Sequence, residues 1–226
     1  MIRFEGVTKS YLVRGARHVV LDDLSFCLPP RSRVGVLGAN GAGKTCLLRL
    51  AAGAEMPDRG RIVREGRVSF PVGFTGTFHK RATARENIAF LAHLYGMDVE
   101  EVTAWIEDFV ELGRYFDMPV GTYSSGMYQR VAIGTSFAFD FDVYLVDEAL
   151  ETGDARFRRK CAAAFDERMK VASLLLVSHN VQTIRQHCES AAVIHRGKVI
   201  GFPTIDEALD HYEMTLRELE LEHGHG

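Results

Sequence analysis

No stretch of the 226-residue chain approaches the roughly 18 consecutive apolar residues that cross a bilayer, so the chain is predicted not to span a membrane by itself. The opening residues, MIRFEGVTKSY, carry no hydrophobic h-region, which predicts no secretory signal. Basic charge is not in excess either: 27 Lys+Arg stand against 30 Asp+Glu, a net charge of −3 at pH 7. No nucleic-acid partner is expected, because a phosphate backbone is bound by basic patches. Cysteine is scarce. Cys27, Cys46, Cys161 and Cys188 are scattered, with no CxxC, and read as reduced thiols rather than a disulfide frame or a zinc site. Internal repeats and low-complexity linkers are missing as well. What is there is 46% hydrophobic and 25% charged, the balance of a globular protein long enough for a real core. The 21 glycines point to turns and a phosphate loop. The ending ELELEHGHG reads as a frayed terminus, with metal binding by His223 and His225 the other reading.

Residues 1–8 and 19–28 have the alternation of strands, with VRGAR a short insertion between them. RVGVLG, 33–38, is a buried strand running into glycines, and TCLLRLAAG a helix stopped by Gly53. RIVREGRVSF suggests a hairpin. Thr83-Ala-Arg-Glu86 is a capping box, followed by Ile88, Leu91, Ala92 and Tyr95 at helical spacing. A second helix, about 99–113, carries Val102, Ile106, Phe109 and Val110, and a third starts at Ser124-Ser125. DVYLVDE and ASLLLVSH are short continuous apolar runs of the kind buried on both faces of a parallel sheet. The helix between them puts Phe157, Cys161 and Phe165 on one face. AAVIHRGKVIG closes as a hairpin, and 204–222 forms a last helix with a stripe of Ile205, Leu209, Tyr212, Leu216 and Leu219. The expected fold is α/β in one domain, with a mostly parallel sheet and an N-terminal antiparallel β-region. The core is 1–76 and 137–226, and a helical subdomain is inserted at about 77–136.

GANGAGKT, Gly38 to Thr45, fits G-x-x-x-x-G-K-[ST] in full and lies between a buried strand and a helix. Such glycines let backbone N–H groups turn inward around phosphate oxygens, and the helix N-terminus adds its positive end. Lys44 is placed to reach the β- and γ-phosphates of a nucleotide, and Thr45 to offer a hydroxyl to Mg²⁺. YLVDE ends a strand in two acids. By itself that is a weak signal. Beside a phosphate loop, Asp147 becomes a carboxylate on the Mg²⁺ side and Glu148 a candidate general base toward the attacking water. TYSSGMYQR, Thr122 to Arg130, opens a helix with two serines and a glycine. Alone it is a plain N-cap, but it falls about 20 residues before YLVDE.

With these three pieces in this order, the chain resembles the ATP-binding subunit of an ABC transporter over nearly its whole length. The resemblance marks Gly38, Asn40, Gly41, Ala42, Gly43, Lys44, Thr45 and Cys46 as nucleotide-binding residues. It implies that Ser124 or Ser125 with Gly126 matches the signature motif, usually L-S-G-G-Q. Tyr11 falls at the adenine-stacking aromatic, although an ordinary strand tyrosine reads the same way. His179 falls at the switch histidine that touches the γ-phosphate, and Asp154 closes Glu151-Thr-Gly-Asp154, the loop after the second acidic motif. The family's lid glutamine is missing near residues 68–78. His79 is the candidate in its place, with a pH-sensitive side chain; the alternative is that it only faces solvent.

TFH with T-x-REN, YFDMPVGTYSSGM and VDE with GDARF are similar to the ATP-binding subunits of capsular polysaccharide exporters, and also to those of O-antigen and teichoic-acid exporters. About 47 residues follow His179, too few for the added carbohydrate-binding domain frequent in the O-antigen group, which favours the capsule branch. The resemblance implies ATP and Mg²⁺ as ligands and an integral membrane permease as partner. It also implies a head-to-tail homodimer with ATP between the phosphate loop of one copy and Ser125-Gly126 of the other, at the cytoplasmic face of a bacterial inner membrane. The permease contact is expected between His79 and Tyr95, with Phe78 or Phe90 as groove candidates and packing in the core the other reading of either one. The alternatives are another ABC exporter (O-antigen, teichoic acid or lipid), a soluble ABC ATPase that moves no solute, or a non-hydrolysing regulator. One cassette without heptads or a basic patch disfavours the second, and Glu148 the third.

Overall fold

A computed structural model describes residues 1–73, 76, 78–147 and 153–223, without the side chains of 219–223. Its contacts divide the chain into two compact units. The first holds Met1–Ser69, Phe141–Glu148 and Ala172–Gly226; the second holds Phe70–Asp140 and Ala149–Val171.

In the first unit, β1 (Ile2–Val13) pairs antiparallel with β2 (Ala16–Leu28) and with β4 (Arg59–Arg64), in the order β2-β1-β4. VRGAR is therefore not an insertion. The two strands run on until Arg14 (φ 51°) and Gly15 (φ 81°) turn the chain in two left-handed residues, the pattern that suits hairpin twist. Alternation fades there because the hairpin end faces water: Leu12 is 81% exposed.

A second sheet has the order β5-β6-β7-β3-β8-β9, from β5 (Val68–Val72), β6 (Val143–Asp147), β7 (Ser173–Val177), β3 (Arg33–Leu37), β8 (Ser190–His195) and β9 (Lys198–Phe202). The β6–β7, β7–β3 and β3–β8 pairs are parallel, and β8–β9 is the expected closing hairpin. RIVREGRVSF is not a hairpin, since β4 and β5 belong to different sheets. Gly66 (φ 86°) makes the departure: a Cβ there would lie 2.5 Å from Asp142 Oδ2, which accepts from the Arg67 N–H at 2.7 Å. Pro71, which has no N–H, is tolerated because β5 is an edge strand.

One core joins these parts. α1 (Lys44–Ala52) buries Leu47, Leu48, Leu50 and Ala51 among Phe4, Leu21, Leu24 and Leu28 of the antiparallel sheet and Val143, Leu145, Leu175 and Val177 of the parallel one. Gly53 ends the helix as expected. α6 (Val181–His187) follows β7. α7 (Ile205–His223) packs on β8 and β9, burying Ala208 and Thr215 and half-burying Tyr212 and Leu216.

The second unit is helical. α2 (Ala84–Tyr95) starts on the capping box read from the sequence: Thr83 Oγ1 accepts from Glu86 N–H at 3.1 Å, and Glu86 Oε2 accepts from Thr83 N–H at 2.8 Å. α3 (Val99–Val110) ends three residues before the expected 113. Glu111 turns left-handed (φ 52°), and its carboxylate is held by Lys160 at 2.7 Å and Arg156 at 2.8 Å. α4 (Ser125–Ala138) is capped by Ser124 and buries every residue from Val131 to Phe137. α5 (Ala155–Met169) buries Phe157, Cys161 and Phe165, the face expected. Phe78 takes the core reading: it is 7% exposed, its ring 5.6 Å from that of Tyr128. Phe90, 67% exposed, is the surface residue of the two.

Candidate nucleotide site

Parallel strands gather their C-terminal ends at one edge of a sheet, and open α/β sheets bind ligands there. In the first unit β6, β7 and β3 are consecutive neighbours, with Asp147 opposite Val177 and Val177 opposite Val36. Their ends deliver three different groups to one place. β3 runs into the glycine loop, β6 ends on Asp147, and β7 passes through Ser178 to His179. Asn180 then caps α6, its Oδ1 accepting from Gln182 N–H at 2.9 Å, which fixes the turn that carries His179.

The loop is built for an anion. Gly43, at φ 107°, is the N-cap of α1, and a Cβ there would come within 2.9 Å of Val20. Only glycine satisfies both demands. No side chain caps α1 and no acid stands in its first turn, so its leading N–H groups and positive end face the loop. Lys44 lies back across the loop, its Nζ donating to Gly38 O at 2.6 Å and Ala39 O at 3.0 Å.

A cavity of about 750 Å³ opens here, a volume suited to a small-molecule ligand. Asn40, Gly41, Gly43, Lys44, Thr45 and Cys46 line it, as do Gly38 and Ala39; Asp147 and His179 close one side. Tyr212 and Leu216 of α7 close another. The sequence reading missed these two because their spacing is that of a packing stripe, which they also serve. Thr45 and Asp147 bring a hydroxyl and a carboxylate to the cavity. Among the described residues no cluster of three or more His, Cys, Asp or Glu could hold a metal.

The other expected residues stand as follows. Ala42 does not line the cavity; it packs on the core, its N–H donating to Ala39 O at 3.1 Å. Tyr11 is not on the cavity wall either. Its hydroxyl donates to Glu55 Oε2 at 2.5 Å and lies 3.5 Å from Cys46 Sγ, one residue past Thr45. Burial raises the Tyr11 hydroxyl pKa, and these two partners add to the rise. Burial also raises the Cys46 thiol. Burial alone would raise Glu55, yet hydrogen bonds from Tyr11 and Arg49 hold its carboxyl below the usual range. Glu148, with Glu151 and Thr152, lies outside the described residues.

Five expected positions belong to the helical unit. Ser124, Ser125 and Gly126 are exposed at the start of α4, with Ser124 Oγ accepting from Met127 N–H at 3.3 Å and open space around Gly126. Asp154 caps α5, accepting from Arg156 and Phe157 N–H at 3.0 and 2.9 Å. His79 is exposed, but its backbone is fixed: N–H donates to Asn87 Oδ1 at 2.7 Å, and its carbonyl accepts from Asn87 Nδ2 at 3.2 Å. The buried Asn87 was not singled out from sequence; the N of T-x-REN was its only signal.

The ABC transporter family profile matches residues 21–151. The chain belongs to that family: it is an ABC-type ATPase, an enzyme that binds and hydrolyses ATP. Within the family it resembles the ATP-binding subunits of capsular polysaccharide, O-antigen and teichoic-acid exporters. It is 43% identical over 225 residues to the polysialic acid transport ATP-binding protein KpsT of Escherichia coli, covering 98% of this chain and 100% of that one. It is 41% identical over 212 residues to the capsule polysaccharide export ATP-binding protein CtrD of Neisseria meningitidis serogroup B, covering 94% and 98%. The teichoic acids export ATP-binding protein TagH of Bacillus anthracis is 30% identical over 237 residues, 96% of this chain but 43% of that protein. Among solved structures, an ATP-binding subunit of an ABC transporter superposes with a TM-score of 0.79 at 23% identity, over 98% of each chain. A dimeric ATP-binding cassette with ADP and Pi superposes at 0.75 with 18% identity, over 88% and 96%. At these identities the two structures speak for the fold.

Proposed function

We propose that this chain is the ATP-hydrolysing subunit of an exporter that moves a capsular polysaccharide across a bacterial inner membrane. The observation that carries the substrate class is the match to KpsT, 43% identical along the whole of that protein. The match to TagH is weaker and leaves more than half of that protein uncovered. No helix among the described residues is long and apolar enough to cross a membrane, so export requires a permease subunit. The ATPase would sit against it at the cytoplasmic face. Phe90 and Leu94, both exposed on α2, are apolar residues of the 79–95 region open to such a partner.

In this reading the loop N–H groups and Lys44 hold the β- and γ-phosphates, and Tyr11, beside Cys46 of the cavity wall rather than on it, would offer its ring to the adenine. Thr45 and Asp147 supply hard oxygen donors of the kind Mg²⁺ accepts when a nucleotide brings it, a site that needs no protein cage. Bound there, the ion neutralises charge on the phosphate oxygens. Glu148 orients and polarises water for attack on the γ-phosphorus, and His179 contacts the γ-phosphate. The bond from that phosphorus to the β–γ bridging oxygen breaks, giving ADP and phosphate.

Ser124, Ser125 and Gly126, exposed at a helix start, suit contact with ATP held by a second copy. The neighbouring solved cassette is a dimer after hydrolysis. Asp154 follows the catalytic base Glu148 by six residues in sequence, and His79 takes the lid position. Loss of the γ-phosphate then opens the dimer, a two-state change that drives the permease.

The test is deletion of the gene in its own cell. Surface polysaccharide should vanish and polymer should accumulate inside, with recovery on complementation by the wild-type chain and none by Lys44→Ala. Unchanged surface polysaccharide in the deletion strain contradicts the export assignment.

A further inference from the structure

We infer that the C-terminal helix α7 is part of the nucleotide site, with Tyr212 a nucleotide-binding residue whose hydroxyl donates to a phosphate oxygen of ATP. The inference rests on the glycine loop holding that nucleotide. Tyr212 and Leu216 are four residues apart, so they share one face of α7, and both line the cavity whose other walls are the loop, Asp147 and His179. The helix is docked independently of the cavity. Ala208 and Thr215 are buried beneath it, the rings of Phe202 and His211 lie 5.1 Å apart, and Glu218 comes within 3.8 Å of His195 at the end of β8.

The Tyr212 hydroxyl makes no hydrogen bond to any described residue; only its backbone carbonyl is engaged, by Thr215 Oγ1 at 2.7 Å. Partial burial raises the pKa of this phenol, which keeps it a proton donor. On the wall of a site lined by backbone donors and a lysine, such a phenol O–H is suited to serve an entering polyphosphate as a further donor. Leu216, one turn on, covers the same wall with hydrocarbon and limits water there. The chain thus completes its phosphate pocket with a segment that lies about 160 residues downstream of the loop.

The experiment measures equilibrium binding of a fluorescent ATP analogue to the full chain, at protein concentrations too low for dimers, with inorganic tripolyphosphate as competitor. Tyr212→Phe, which keeps the ring and the packing, should weaken both the analogue and tripolyphosphate about tenfold, the worth of one hydrogen bond to a charged group. KM for ATP should rise by a similar factor, with kcat changed less. Thermal melting of Tyr212→Phe should match wild type, so the loss cannot be assigned to unfolding. Unchanged affinity in Tyr212→Phe overturns the hydroxyl's role, and loss of the analogue without loss of tripolyphosphate overturns the phosphate contact. Lys44→Ala is the control for the site itself. If it binds like wild type, the loop reading fails; if it loses nucleotide while Tyr212→Phe does not, the α7 inference alone fails.

Discussion

Arg130 and Asp154 form an ion pair that joins the second turn of α4 to the N-cap of α5. The Arg130 guanidinium also lies over the Phe157 ring, 4.8 Å from its centroid, so the pair is clamped between a helix cap and an aromatic face. Asp154 uses its two oxygens for different tasks. Oδ1 accepts from the α5 N–H groups and Oδ2 from Arg130. The helix-N–H bonds, more than the arginine, hold its carboxyl below the usual aspartate range. In a double-mutant cycle, Arg130→Ala and Asp154→Asn should lower the urea midpoint by less together than the sum of each alone. Strict additivity would show that the pair is not coupled.

Lys44→Ala removes the cation whose Nζ spans the glycine loop. ATP turnover should fall about a hundredfold or more, because charge stabilisation dominates phosphoryl transfer. A phosphate-release assay at saturating ATP reads this directly, and near-normal turnover would place the active site elsewhere.

Phe78 and Phe90 should part company. Phe78→Ala empties a site in the helical core and should cost about 3–5 kcal/mol in urea unfolding. Phe90→Asp changes an exposed face and should stay within about 0.5 kcal/mol of wild type and keep its ATPase. In cells, Phe90→Asp should nevertheless lose surface polysaccharide if α2 meets the permease. Normal export by that variant would move the contact off Phe90.

Burial pushes the Cys188 thiol up to about 12 and the Cys161 thiol up to about 11. A thiol raised in the folded state contributes no penalty below its unfolded pKa, near 8.5. Above that pH the unfolded chain ionises first, and stability is lost as pH rises toward 11 and 12. The urea midpoint should therefore fall between pH 8 and 10.5, and fall less in Cys161→Ala/Cys188→Ala. In the folded protein at pH 8, a thiol reagent should titrate the exposed Cys27 quickly, and Cys161 and Cys188 only on unfolding.

The glycine loop was legible from its spacing, but a strand ending in acids is weak by itself and a strand-end histidine unremarkable. Asp147 gained weight only beside the loop and His179 only through the family resemblance, and the sheet then brings all three to one cavity. The capping box at Thr83 and the stop at Gly53 were legible because their signals are local. Other features were not. That β4 and β5 part company at Gly66 depends on Asp142, which lies 76 residues away in the chain. Phe78 and Phe90 are the same residue type in one stretch, and only tertiary contact with Tyr128 separates them. Tyr212 sits at a spacing that describes packing equally well, so its place on the cavity wall could not be read from periodicity.

In the proposed cycle, ATP bound at the glycine loop of one copy joins it to a second copy until Glu148 acts. Glu148→Gln keeps the size of the side chain and a hydrogen bond while removing the base. The decisive measurement is its apparent mass in sizing chromatography with ATP and Mg²⁺, with bound nucleotide quantified in the same fractions. A dimer carrying ATP that returns to monomer when ATP is removed is the result predicted here. A monomer that retains ATP throughout would contradict it.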